Sequence, residues 1–67
     1  MEWLDRLRQS TVTKAKGHEV LLKVCPFCSN NHWNIQVNKS LAMFNCWVCG
    51  EGGHVGKLLT TLGIDWD

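Results

Sequence analysis

Residues 25–53 read CPFCSNNHWNIQVNKSLAMFNCWVCGEGG, and the two cysteine pairs in this stretch, Cys25 with Cys28 and Cys46 with Cys49, decide the fold. A Cys-x2-Cys turn aims two sulfurs at one centre. The second pair follows after seventeen intervening residues, about the length of a hairpin that returns the chain to its start. Four thiols so spaced predict one tetrahedral zinc site. A closed four-sulfur shell makes the ion structural, because no coordination position stays open for water or substrate. Two disulfides fit the two-residue gaps poorly and are rare where thiols stay reduced. A tetrahedron of four sulfurs also accepts iron.

Outward from the cysteines, Asn34-Ile35-Gln36-Val37 alternates polar and apolar, Asn38-Lys39-Ser40 has turn chemistry, and Leu41 to Asn45 reads as the returning strand. Upstream, Ser10 to Lys14 is rich in β-branched residues, Lys16-Gly17-His18 supplies a turn, and Val20, Leu22 and Val24 alternate with Leu21 and Lys23. That pattern predicts a hairpin ending at Cys25. Trp3, Leu4 and Leu7 recur at helical spacing, with Glu2 and Asp5 early and Arg6 and Arg8 late, so a helix is predicted over Glu2 to Gln9. Gly50-Glu51-Gly52-Gly53 is read as a strand break. Val55, Leu58, Leu59 and Leu62 then predict an amphipathic helix from His54 to Leu62. The expected architecture is a small zinc ribbon: one domain over residues 1–67, with a helix at 1–9, antiparallel hairpins around one four-cysteine zinc site at 10–49, and a helix at 54–62.

A chain of 67 residues buries little surface and needs a staple, which the metal supplies. The formal charge of +1 falls to about −1 once four thiolates and one Zn²⁺ are counted, so no strong bulk attraction to nucleic acid is encoded. The distribution says more. Glu2, Asp5, Asp65 and Asp67 sit at the ends, while Lys14, Lys16, Lys23, Lys39 and Lys57 occupy the middle against only Glu19 and Glu51. No apolar run is long enough to cross a membrane and the N-terminus lacks the regions of a signal peptide, so a cytoplasmic chain without a membrane partner is expected. Gly52-Gly53-His54-Val55-Gly56-Lys57 does not complete a phosphate loop, since residue 51 is glutamate and Leu58 stands where Ser or Thr is required. Nor does any nucleophile, base and carboxylate set stand out, and the chain is expected to catalyse nothing alone.

Cys25-Pro26-Phe27-Cys28, the seventeen-residue gap and Cys46-Trp47-Val48-Cys49-Gly50-Glu51-Gly52-Gly53 together resemble the zinc-binding domain of bacterial and phage DNA primases. The pattern of that family is Cys-Pro-x-His/Cys, a short hairpin, then Cys-x2-Cys-Gly-x-Gly-Gly. Cys28 takes a place that is often histidine, and His54 stands where many relatives carry an acidic residue capping the final helix. The resemblance implies a ribbon in a bacterial or phage-infected cell that contacts single-stranded template DNA and helps choose the priming site. It implies as partners a separate primase catalytic domain or subunit, and a replicative helicase.

Single strands are held by aromatic faces and by cations. Trp33, His32 and Lys39 are the first candidates for DNA contact, with Asn34, Trp47 and Lys23 beside them. Phe44 is expected in the core, and Trp3 and Trp66 are expected to pack the helices or meet a partner. Two other readings compete: a zinc ribbon used only for protein contacts, and a rubredoxin-like electron carrier. Rubredoxins, however, are acidic and have a longer gap between their cysteine pairs.

Overall fold

The computed structural model describes residues 2–65; the expectations for Met1, Trp66 and Asp67 lie outside the described residues. Helix α1 spans Glu2–Ser10, strands β1 to β5 span Thr13–Lys16, Glu19–Leu22, Ile35–Asn38, Met43–Cys46 and Gly52–His54, and helix α2 spans Val55–Thr61. The strands form one antiparallel sheet in the order β1-β2-β3-β4-β5, so each pairs with its sequence neighbour.

Period-two alternation gives the sheet two unlike faces. The cross-strand rows Leu22-Ile35-Cys46 and Val20-Val37-Phe44 are buried. Both helices pack on that side, α1 through Leu4 and Leu7 and α2 through Val55, Leu58 and Leu59. Phe44 is core, as its pattern predicts, and Trp3 packs partly buried against the same cluster. The opposite face carries the rows Lys14-Leu21-Gln36-Asn45-Gly52 and Lys16-Glu19-Asn38-Met43-His54. No helix covers it among the described residues.

Several expectations need correction. The first strand spans Thr13–Lys16 rather than Ser10 to Lys14, because Ser10 still belongs to α1. The glycine-rich stretch does not simply break the sheet, because Gly52–His54 pairs with β4 as a fifth strand. A side chain at residue 52 would sit 3.0 Å from the Phe44 carbonyl and 3.1 Å from Asn45 Oδ1, so glycine is the residue that permits this approach. The strand leading to Cys25 ends at Leu22, and Val24 is exposed rather than core because the chain bends there into the metal-binding turn. The returning strand begins at Met43, since residues 39–42 form the turn that Asn38 closes by accepting the Leu41 N–H at 3.0 Å.

The second helix starts one residue later than its pattern suggested, because His54 is its cap. The imidazole Nδ1 accepts the Gly56 N–H at 2.9 Å. A histidine ring nitrogen thus does the work of the acidic residue found at this place in the resembling family. At the other end Gly63 N–H reaches Thr60 O and Ile64 N–H reaches Leu59 O, which closes the helix in a Schellman arrangement. The Arg6 guanidinium donates to the Asp65 carbonyl and pairs with Glu2 at 2.6 Å, tying α1 to the segment after α2.

Candidate metal centre and the open sheet face

Two turns of one design carry the cysteines. In the first, Ser29 N–H donates to Cys25 O at 2.8 Å and Cys25 N–H donates to Asn30 O at 2.8 Å. In the second, Gly50 N–H donates to Cys46 O at 3.1 Å and Cys46 N–H donates to Glu51 O at 2.8 Å. Both turns therefore need a left-handed residue directly after the second cysteine, and Ser29 (φ 63) and Gly50 (φ 77) fill that place. Pro26 fits the first turn because its position donates no hydrogen bond there. Its counterpart Trp47 uses its N–H on Asn34 O at 3.0 Å, which extends the β3–β4 pairing.

The hairpin β3–β4 joins the two turns, and all four Sγ atoms lie within 4.8 Å of one another. Cys25 Sγ and Cys49 Sγ are 3.8 Å apart. A tetrahedron with Zn–S bonds of about 2.3 Å has edges of about 3.8 Å, so the cage has the size of a four-sulfur zinc centre. Cys25 and Cys46 are buried at 2% and 1% exposure, while Cys28 and Cys49 face outward. Four cysteines held this way fit one structural Zn²⁺.

Helix α2 is linked to both turns. Lys57 pairs with Glu51 at 3.0 Å and lies 5.7 Å from the Phe27 ring centroid, and Phe27 stacks on Phe44 at 5.6 Å. The thiols themselves are unequal. Burial pushes Cys25 up to about 12, against the amides of Phe27 and Cys28, which pull it down. At Cys46 burial is the largest single influence and raises the group. The amides of Cys49 and Val48, joined by the Cys49 and Cys25 thiols, outweigh it and lower the group to about 7. Cys49 accepts the Glu51 amide, which lowers it, but desolvation and the Cys46 and Cys28 thiols leave it raised. Because zinc takes thiolates, its binding expels these protons and strengthens as pH rises.

The expected DNA-contact residues do not share one location. Trp33 is half-buried with a left-handed backbone (φ 63), and the Lys14 ammonium sits 4.7 Å from its ring centroid. Trp47 is 69% exposed, and its indole N–H donates to Gln36 Oε1 at 3.1 Å. Lys14 and Gln36 belong to one open-face row, so both tryptophans touch side chains of that row. The others stand apart. Asn34 is engaged within its loop, donating to Asn30 Oδ1 at 2.7 Å, and His32 is exposed with its backbone N–H on the same oxygen at 3.1 Å. Lys23 is exposed before the first turn, and Lys39 is half-buried in the turn between β3 and β4.

Sequence reasoning did not select Lys14, Lys16, Gln36, Asn38, Met43 and Asn45 for this face. For Gln36, Asn38, Met43 and Asn45 the signal was available in the alternation of β3 and β4, since the neighbours of the core positions Ile35, Val37 and Phe44 must point the other way; β1 has no buried residue, so Lys14 and Lys16 carried no such signal.

In sequence, residues 4–66 match the family model described as the CHC2 zinc finger. No curated protein matches the chain.

Proposed function

Because the chain belongs to the CHC2 zinc-finger family, the zinc-binding domain of DnaG-type primases, we propose that it holds single-stranded template DNA on the open face of its sheet. In this reading it helps select the priming site, while a separate catalytic domain or subunit joins the nucleotides. A replicative helicase is the second partner of the proposal. The chain itself carries out no chemical step, and the zinc holds the two turns in place beside the binding face.

The observation that carries the reading is the pairing of Trp33 and Trp47 on the row that contains Lys14 and Gln36, with Lys16 two residues along the same edge strand. Aromatic planes for bases next to cations for phosphates are what a single strand needs. Lysines on β1 also keep that edge from pairing with another chain, so the same residues guard the strand and supply the charge.

The test is binding of zinc-loaded protein to short labelled single-stranded DNA across a salt series, with Lys14→Ala/Lys16→Ala as the comparison. Binding should weaken with salt, and losing two phosphate contacts should reduce the slope of log K against log[salt] by about 1.4. Binding that ignores salt, or a slope unchanged in the double variant, overturns this placement of the strand.

A further inference from the structure

The open face holds a recess of about 200 Å³ lined by Glu19, Gln36, Asn38, Leu41, Met43 and Asn45, together with the core residue Phe44. It is shallow and open; Leu41 and Met43, 69% and 42% exposed, give it apolar surface, and Glu19, Gln36, Asn38 and Asn45 give it polar groups. Gln36 is engaged at both ends: its Nε2 donates to Glu19 Oε2 and its Oε1 accepts from the Trp47 indole. It therefore acts as a strut between the Glu19 carboxylate and the Trp47 ring. Asn38 spends its Oδ1 on the Leu41 amide and keeps its NH2 group for a ligand. Glu19 keeps Oε1, an acceptor only.

A flat ring with a polar edge suits such a recess, and an unpaired nucleobase exposes that edge. A carboxylate selects for bases that present donors. Guanine offers two adjacent donors, its ring N–H and its exocyclic amine, with a carbonyl oxygen beside them for an amide NH2. Thymine offers one N–H between two carbonyl oxygens, which a carboxylate repels. Resting on the template-binding reading above, we propose that this recess is a single-base pocket in which Glu19 and Asn38 favour guanine over thymine.

The experiment measures binding of zinc-loaded protein to short oligo-dT strands and to the same strands with one central dG, dC, dA or abasic site. The dG strand should bind roughly five- to tenfold more tightly than all-dT, the size of one good base contact. Glu19→Gln should bring the ratio of dG to dT affinity close to one, and Asn38→Ala should lower it; zinc content and circular dichroism report that each variant is folded. If Glu19→Gln does not fold, Asn38→Ala decides. Equal affinity for all strands, or a dG preference that survives both substitutions, overturns the pocket while leaving template binding standing. If no strand binds at all, the template-binding reading falls and the pocket with it.

Discussion

Trp47→Ala separates the fold from the proposed binding face. The side chain is 69% exposed and contributes one hydrogen bond, from its indole to Gln36 Oε1 at 3.1 Å. Truncation opens no core cavity, and the loss of that bond costs about 0.5–1 kcal/mol of stability at most. A stacked base, by contrast, contributes about 1–3 kcal/mol, so single-strand affinity should fall by a factor of about 5 to 150. The assay is fluorescence anisotropy at fixed salt, with metal content and thermal melting measured on the same sample. Trp47→Phe keeps a ring but loses the N–H donor, and it should stay within about threefold of wild type if stacking dominates. Affinity within twofold of wild type for Trp47→Ala, with zinc and melting unchanged, refutes stacking at this residue. An equal loss in both variants assigns the effect to the bond with Gln36 instead.

Other outcomes follow from the metal cage and the glycines. Chelation should abolish the folded circular-dichroism signal, because a core of this size supplies about 3–5 kcal/mol and structural zinc about 10–16; a metal-free protein that keeps its signal contradicts this. Gly52→Ala should lose about 1–3 kcal/mol in denaturant titration, since its methyl group would meet the Phe44 carbonyl at 3.0 Å. Wild-type stability there means that β4 and β5 can separate freely. Gly50→Ala should lower the melting temperature, as a side chain in the left-handed region costs about 1–2 kcal/mol. Ser29→Gly, at the equivalent place of the first turn, should not lower it, and shifts of the same sign in both would show that the two turns are not equivalent.

Local and long-range features differed in how far the sequence revealed them. The cysteine turns are complete within six residues each, so Cys25, Cys28, Cys46 and Cys49 and the closed shell they form were legible. The helices were legible too, because Leu4 with Leu7 and Val55 with Leu58 and Leu59 show their spacing directly. Strand β5 was not, because glycine weakens a strand by composition; only the close approach of the Phe44 carbonyl explains why Gly52 is suited to one. The make-up of the open face was hidden for a related reason. Reading outward from the cysteines selects neighbours in sequence, such as His32 and Lys23, whereas register brings Lys14 into line with Gln36 across two strand pairings. Register depends on turn lengths and on which face the helices cover, and a short polar strand states neither.

Cys28 offers the last test, because it stands where the resembling family often has histidine. Both side chains give zinc one lone pair, so Cys28→His should still bind one metal ion, with a cobalt-substituted spectrum changing from that of four sulfur ligands to that of three sulfurs and one nitrogen. Its outward position leaves room for the larger ring. The substitution also changes the site from a net charge of about −2 to about −1, since one thiolate becomes a neutral imidazole. A unit charge about 10 Å from a phosphate in water is worth about 0.4 kcal/mol, or about twofold in affinity, and physiological salt screens most of it. Single-strand binding should therefore tighten by no more than about twofold at low salt and remain unchanged at physiological salt. If the variant loses its metal, the cage tolerates only sulfur at that corner. If it keeps the metal but binds DNA tenfold more tightly or more weakly, the cage lies against the strand itself, and the open sheet face is not the whole of the interface.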